Sequence, residues 1–345
     1  MHSTKRKKKF GGFLNERNIR LFVQSAFLLL ILLIGYEFYG FVRYCQSGGT
    51  TPYFERPPGV EGFLPISSLM GIKYFLLSGD FNTIHPAGMV LFFTFFIIAL
   101  FLKKGFCGWI CPIGFLSEYL GKLGDKIFGH TFNLPRWLDY PLRSLKYLLM
   151  LFFVWAIITM SAEDLKAFIY GNYNKFADVM MLMFFVNISA FSLGVIIVLA
   201  LLSLFIKNFW CRYLCPYGAF LGFFSIFSPL KITRNPETCT DCRHCTKACP
   251  QNIQVHSKIR IRSDECMACY QCVLACPETD TLKMRLSKKS KKEIPAKLYA
   301  AIIVGIFLLF TGAAMVTGNW KNHIKKEEYL EWIPKLDTLN LQHTE

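Results

Sequence analysis

The chain has 345 residues, of which 53% are hydrophobic and 16% aromatic, and its formal net charge is +16 at pH 7. So large an apolar fraction, which includes 34 Phe, excludes an ordinary water-soluble fold. The positive charge is typical either of nucleic-acid binding or of one face of a membrane protein, and its distribution along the chain distinguishes the two.

Five apolar segments are long enough, at about 20 residues, to cross a hydrocarbon core of about 30 Å. They are 21–42, 84–102, 143–160, 184–206 and 298–317. The sequence therefore predicts a mainly α-helical, polytopic membrane protein with about five transmembrane helices.

Basic residues are concentrated in alternate connecting segments. Lys and Arg outnumber acids by seven to one in residues 1–20, seven to three in 103–146 and sixteen to seven in 207–297, but 43–83 is balanced at three each. The positive-inside rule then places the basic segments in the cytoplasm, with 1–20 as a basic cytoplasmic tail and 318–345 as an extracytoplasmic tail. We expect the protein in the cytoplasmic (inner) membrane, with the lipid bilayer and not nucleic acid as the partner of its charge.

The segment Phe106–Gly114 recurs as Trp210–Gly218, and both copies contain Cys-x-x-x-Cys-Pro-x-Gly. Each copy follows a predicted span, which indicates that 21–228 is a membrane domain of two repeated helical hairpins. The four cysteines are Cys107, Cys111, Cys211 and Cys215.

Two cysteines four residues apart on a helix share one face. Because proline suits the first turn of a helix, we expect Cys111 and Cys215 at helix N-termini, where the dipole lowers the pKa of a thiol. If the repeat has a twofold axis, the four sulfurs converge, and they are redox candidates that could bind an additional metal, form a dithiol–disulfide pair or line an electron path. Inert buried thiols are the alternative.

Eight further cysteines form two runs of Cys-x-x-Cys-x-x-Cys-x-x-x-Cys-Pro, the spacing of a bacterial two-cluster ferredoxin. In that pattern the fourth cysteine of each run binds the cluster of the other run. The predicted ligand sets are Cys239, Cys242, Cys245 and Cys276 for the first 4Fe–4S cluster, and Cys249, Cys266, Cys269 and Cys272 for the second.

Residues 229–288 are expected to fold as an inserted α+β, cytoplasmic ferredoxin domain between the fourth span and the fifth. About 60 residues bury too small an apolar core, so this domain should unfold without iron. Structural zinc is the alternative for the cysteine pairs. Basic residues of the domain, such as Arg243 and Lys258, could attract an acidic redox partner.

Two ionisable residues near the predicted outer ends of spans, Glu37 and His85, are candidates for handling the proton of a quinol. The alternative is that both extend into interfacial water.

The membrane spans, the paired Cys-x-x-x-Cys-Pro motifs and the two-cluster segment together resemble the membrane-bound 4Fe–4S polyferredoxins, which include the NapH-type quinol dehydrogenase membrane subunits. The resemblance covers about residues 20–290 and is strongest at 106–115 and 210–220; 56–74 and His85–Gly88 also fit it. It implies cluster ligation by the eight cysteines above, electron transfer with quinone or a cytoplasmic donor, and a redox partner protein. Unlike some members of that family, the chain is expected to have no large outer domain.

Three functions follow as hypotheses. The first is a membrane-bound iron–sulfur electron-transfer protein, an oxidoreductase component that passes single electrons between a cytoplasmic or quinone donor and a partner redox protein. The second is a metal-reducing or metalloenzyme maturation factor that uses the four cysteines of the membrane motifs. The third is a redox sensor.

Overall fold

The computed structural model describes residues 16–129, 132, 134–287, 290 and 292–342. Most of the predicted basic tail 1–20 and the last residues of the tail 318–345 therefore lie outside the described residues.

Helices dominate the described part of the chain, as predicted. In chain order they are α1 (Glu16–Gln46), α2 (Pro65–Ser78), α3 (Pro86–Leu102), α4 (Gly105–Trp109), α5 (Pro112–Phe128), α6 (Arg136–Thr159), α7 (Ala162–Ile169), α8 (Asn172–Lys175), α9 (Ala177–Val186), α10 (Ala190–Phe205), α11 (Pro216–Ser225), α12 (His244–Lys247), α13 (Gln271–Leu274), α14 (Ala296–Val316) and α15 (Lys326–Gln342). A 3₁₀ helix covers Pro58–Phe63 and a π-helical turn covers Trp210–Leu214. Two strands, β1 (Lys231–Arg234) and β2 (Leu282–Arg285), pair in antiparallel fashion.

Three helices in the described residues are long and apolar enough to cross a membrane. They contain Asn18–Gln46, Trp137–Thr159 and Ala296–Val316, which correspond to the predicted spans 21–42, 143–160 and 298–317. Helix α3, within the predicted span 84–102, is apolar but has 17 residues, and at 1.5 Å per residue its length of about 26 Å is short of the hydrocarbon core. The count of five spans is thus not confirmed.

The predicted span 184–206 is broken. Helices α9 and α10 meet at an angle of 84°, and together they form at most one bent span. Asn187 ends α9 with its N–H bonded to the Met183 carbonyl, and the Ser189 hydroxyl accepts the N–H of Ser192 at 3.2 Å. The prediction of one continuous helix is wrong here because the Ser189 hydroxyl accepts an N–H that a continuous helix would bond to a backbone carbonyl.

One compact unit is formed by the described residues of 16–28, 95–150 and 197–306. It contains both Cys-x-x-x-Cys motifs and the predicted ferredoxin segment, whose ends are joined by pairing of Lys231 with Arg285. Helix α5, which follows the first motif, packs closely against the end of α10, which precedes the second. A Cβ atom on Gly124 would lie 1.9 Å from the carbonyl oxygen of Leu204, so only glycine permits this approach.

The other compact unit comprises residues 29–94, 151–196 and 307–342. Its core includes Phe38, Phe41, Phe176 and Tyr329, with Cys45 fully buried among them. Helix α2 packs against α7.

Candidate redox site

The first predicted ligand set lines one small cavity in the predicted ferredoxin segment 229–288, called the iron–sulfur segment below. Its cysteines are Cys239, Cys242, Cys245 and Cys276. Three belong to one run and the fourth comes from the other, as the crossed pattern of a two-cluster ferredoxin requires.

A second cavity is lined by the other set. Its cysteines are Cys249, Cys266, Cys269 and Cys272. Four cysteine side chains around each cavity are the donors that a 4Fe–4S cluster uses, so the residues present fit two such clusters.

The two cysteine loops share an unusual backbone. Asp241 and Arg243 in the first run have φ of 50° and 59°, and Ala268 and Tyr270, the equivalent residues of the second run, have 49° and 59°. Left-handed conformations are uncommon for residues other than glycine, and they persist only where the surroundings enforce them. The same strained positions in both runs indicate two copies of one ligand-holding loop.

Burial works against ionisation of these thiols. Desolvation raises the pKa of Cys249 to about 12, and it raises that of Cys269 to about 11 although the nearby Arg20 lowers it. Such thiols do not ionise alone near neutral pH, but iron compensates the charge of a thiolate and makes ligation favourable. The donor chemistry therefore suits a metal cofactor.

The two sets differ in exposure. In the first set Cys242 is exposed and Cys239 is half-buried, whereas all four cysteines of the second set are buried. The first set is the one that a soluble partner can approach.

The first membrane motif packs directly on the ligand loop of the second set. The Trp109 indole donates a hydrogen bond to the Ala268 carbonyl oxygen at 3.0 Å, and a Cβ atom on Gly108 would lie 2.4 Å from the carbonyl oxygen of Met267. The Gly108 carbonyl accepts hydrogen bonds from Arg20 and Gln24, both at 3.0 Å. The motif is thereby held against residues 266–269.

The second membrane motif, together with Asn208 just before it, packs on the other segment of the same set. The side-chain amide of Asn208 donates to the Pro250 carbonyl at 3.2 Å, and Arg212 donates to the Gln251 carbonyl at 2.5 Å. Both carbonyls follow Cys249 in the chain. The two motifs therefore contact the two chain segments that supply the second ligand set.

The four thiols of the membrane motifs lie in one neighbourhood. Cys111 and Cys215 are the N-cap residues of α5 and α11, as predicted. The thiols of Cys107, Cys111 and Cys215 each help to raise the pKa of Cys211, after burial, which is the largest cause. The repeat thus brings two cysteines from each copy together.

The expected lowering of the thiol pKa at a helix N-terminus is wrong for Cys111. Its pKa is raised to about 11 because desolvation outweighs the N–H groups of Gly114 and Ile113, which lower it. Among the described residues, no three His, Cys, Asp or Glu side chains are close enough to hold a single metal ion. One ion at the four thiols would therefore require their side chains to move closer together.

A buried cation accompanies these thiols. The Lys104 side chain is 2% exposed, and its ammonium nitrogen lies 3.6 Å from a Glu265 carboxylate oxygen. Burial lowers the pKa of Lys104, but Glu265, Cys107 and Cys215 outweigh burial and raise it. Since Glu265 immediately precedes Cys266, one charge pair adjoins both the four thiols and the second ligand set.

The two quinol candidates of the sequence lie in the other unit and differ in exposure. Glu37 is exposed, whereas His85 is fully buried with its Nε2 atom 2.7 Å from the Asn174 carbonyl oxygen. The alternative that both reach interfacial water is wrong for His85, because neighbouring side chains enclose it.

His85 belongs to a buried charged cluster. Arg56 donates to Asp178 at 2.6 Å and to Glu61 at 2.9 Å, and His85 Nδ1 lies 3.7 Å from Glu61. Within the part of the chain that the structure describes, Nδ1 has no hydrogen-bond partner. Ionisable groups enclosed in a membrane protein are functional candidates by default, so this cluster adds Arg56, Glu61 and Asp178 to His85, one of the two candidates named from the sequence.

Comparison with known families identifies the class of the chain. Residues 84–130 and 180–235, which contain the two membrane motifs, both match a family described as a 4Fe-4S binding domain. Residues 231–277 match a family described as a 4Fe-4S dicluster domain.

Relatives extend the match to most of the chain. YccM of Escherichia coli, named as an electron transport protein, is 40% identical over 325 residues, which are 93% of this chain and 91% of the relative. The chain belongs to the membrane-associated, ferredoxin-type 4Fe–4S electron transport family. NirI of Paracoccus denitrificans is 32% identical over 55% of this chain and 28% of its own length. The ferredoxin-type protein NapH of Haemophilus influenzae is 24% identical over 54% of this chain and 60% of its own length. No solved structure matches.

Family membership confirms the sequence-based resemblance and an iron–sulfur electron-transfer role in a membrane protein. The sequence did not identify Lys104, Glu265, Arg56, Glu61 or Asp178 as site residues. A charge inside or directly after an apolar segment, as at Lys104 and Asp178, is the signal that could have identified two of them.

Proposed function

We propose that this chain passes single electrons between a cytoplasmic or quinone donor and a partner redox protein. The single observation that carries the proposal is the division of eight cysteines into two cavities with four each. A 4Fe–4S cluster bound by four thiolates exchanges one electron at a time. The eight ligands are those predicted from the sequence.

The protein's own residues give the two ligand sets different roles. Exposure of Cys242, beside Arg243, supports docking of an acidic redox partner at the first set. Enclosure of the second set, with Trp109 and Arg212 bonded to its ligand segments, supports exchange between that set and the membrane motifs. Lys104 would stabilise negative charge on the sulfur atoms of these four cysteines.

For orientation, we propose that the amino terminus and the iron–sulfur segment lie in the cytoplasm, with the chain in the inner membrane. The excess of Lys and Arg in 103–146 and 207–297 supports this assignment. An odd number of spans between the two ends would place the carboxy terminus outside the cytoplasm. A reporter that is active only outside the cytoplasm should then be active when it is fused after residue 342.

Iron and sulfide analysis of anaerobically purified protein tests the cofactor assignment. We expect about eight iron atoms per chain from two cubes, and Cys272→Ser should lower the iron content. Ala248→Ser is a matched control, since it introduces a hydroxyl beside Cys249 without removing a thiol. Colourless protein that contains zinc, or an iron content unaffected by Cys272→Ser, would contradict the proposal.

Electron exchange with a quinone analogue, run from the reduced clusters to the quinone, tests whether quinone is an electron partner. Dithionite-reduced protein should be reoxidised by a soluble quinone, and Glu61→Gln should slow this step if the cluster of Arg56, Glu61, Asp178 and His85 handles the proton. Glu37→Gln tests the other sequence candidate in the same assay. Absence of reoxidation by quinone would remove quinone from the proposal and leave the cytoplasmic donor.

A second candidate function is reduction of a metal ion for the maturation of another protein. Its support is the proximity of the four membrane-motif thiols beside Lys104. Under this hypothesis Cys107→Ser with Cys211→Ser abolishes binding of copper or iron in excess of the two clusters. Unchanged binding of the added metal would exclude it and leave a dithiol–disulfide pair for the four thiols.

A further inference from the structure

A polar cavity of about 970 Å³ lies beside the iron–sulfur segment, within the same compact unit. Its walls come from the end of α5, the start of α6, the π-helical turn and residues 246–258. None of the cysteines lines it, so it is distinct from both ligand cavities.

The cavity is strongly basic. It is lined by two acidic residues, Asp125 and Asp139, and by five basic ones, which gives an excess of three positive charges. The basic residues are Arg143, Lys207, Arg212, Lys247 and Lys258.

Ion pairs among the residues that line the cavity neutralise only part of this positive charge. Asp139 is shared by Arg143 at 2.7 Å and Arg212 at 2.9 Å, and Asp125 pairs with Lys207 at 2.8 Å. Within the described part of the chain, Lys247 and Lys258 have no carboxylate within 4.0 Å, and both side chains are exposed. Two ammonium groups at the rim are therefore available for an anion.

The position of the cavity indicates the source of that anion. Asp139, Tyr140 and Arg143 lie in the first two turns of the candidate span Trp137–Thr159, and Ile206 follows α10 directly. Tyr140 is 64% exposed, as tyrosines at the lipid–water boundary commonly are. Basic pockets at the ends of transmembrane helices are typical binding sites for anionic lipid headgroups.

We propose that this cavity binds the phosphate group of an anionic phospholipid. The phosphodiester would contact Lys247 and Lys258 on the iron–sulfur segment and the arginines near the membrane helices. The walls come from the iron–sulfur segment and from helices that precede it in the chain. The bound headgroup therefore connects residues 246–258 to the end of α5 and the start of α6. This site is independent of the electron-transfer proposal, since no ligand cysteine takes part.

Lipid binding to the iron-loaded protein in detergent tests the site directly. The probes are short-chain phosphatidylglycerol, phosphatidylcholine of the same chain length, and inorganic phosphate, with retained lipid counted by native mass spectrometry. We expect saturable binding of phosphatidylglycerol. Lys247→Gln with Lys258→Gln should weaken it about 30-fold, because each basic group near an anionic lipid contributes about fivefold.

A second pair of exposed lysines in a basic region provides the matched control. Lys292→Gln with Lys297→Gln removes the same charge from a segment that does not line the cavity, and it should leave binding unchanged. If the first double variant loses iron, Arg143→Gln with Lys258→Gln replaces it. Saturation by inorganic phosphate at lower concentration than by the lipid would support the phosphate site with a soluble ligand as its source. Equal loss in both double variants, or in neither, would overturn the proposal.

Discussion

The indole nitrogen of Trp109 and the carbonyl oxygen of Ala268 are 3.0 Å apart and form a hydrogen bond, although 159 residues separate them in the chain. Trp109 lies between the two cysteines of the first membrane motif, and Ala268 lies between Cys266 and Cys269. Trp109 is fully buried. The bond therefore fixes a membrane motif against a ligand loop.

Replacing Trp109 by Phe should weaken this contact. The ring would remain apolar, but the Ala268 carbonyl would lose its indole donor, at a cost of about 1–3 kcal/mol in the free energy of unfolding. We expect a lower melting temperature and faster bleaching of the iron–sulfur chromophore. Trp137→Phe is the control because Trp137 is 75% exposed, and equal effects of the two changes would contradict the assigned role of Trp109.

Gly108→Ala tests the same packing by steric means. The added methyl group would lie 2.4 Å from the backbone carbonyl oxygen of Met267, so the motif and the loop must separate, typically at a cost of about 1–3 kcal/mol. We expect fewer iron atoms per chain after purification.

Gly305→Ala is the matched control for Gly108→Ala. A Cβ atom at Gly305 meets nothing within 4 Å, and alanine has the higher helix propensity. Full iron content in Gly108→Ala, or equal loss in both variants, would show that the contact does not support the loop.

The cysteine sets were predictable because iron–sulfur ligands have a fixed spacing in sequence. The gathering of Cys107, Cys111, Cys211 and Cys215 was also predictable, since an internal repeat implies symmetry. The break at Asn187 was not, because hydropathy averages over a window and ignores local hydrogen bonding. Nor was the pairing of Arg56 with Asp178, since an ion pair across 122 residues depends on tertiary structure.

Arg56→Met should be severely destabilising. It would leave Asp178 and Glu61 as buried carboxylates without their cation, and breaking a buried pair in this way typically costs about 3–5 kcal/mol. A large fall in the melting temperature, or loss of expression, is expected. The exposed pair of Lys321 and Glu55 provides the comparison, and Lys321→Met should change the melting temperature little. Similar falls in the melting temperature of the two variants would show that the buried ion pairs of Arg56 stabilise the protein no more than the exposed pair does.

Removal of iron should unfold the segment 229–288 selectively. Its short helices and the two-strand ribbon supply little apolar core, so ligation contributes much of its folding free energy. After chelation under anaerobic, reducing conditions, limited proteolysis should cut within this segment and leave α14 intact. Addition of iron and sulfide should restore protection, and a chelated protein that stayed resistant would contradict this account.

Glu118 should make a pH-dependent contribution to the stability of the protein. Burial raises the pKa of this carboxyl group, but the hydrogen bond from Arg20 and the charges of Arg20 and Lys122 outweigh it and lower the pKa below the usual value. A carboxyl group with a lowered folded-state pKa stabilises the protein fully above its unfolded pKa of about 4.3, and the contribution is lost as the pH falls through the folded value.

Glu118→Gln should therefore lower the melting temperature most at pH 6, and the difference from wild type should shrink between pH 4 and pH 3. Glu163→Gln, at an exposed carboxylate, controls for loss of charge. A difference between wild type and Glu118→Gln that stayed constant from pH 6 to pH 3 would show that the pair with Arg20 contributes no pH-dependent stability.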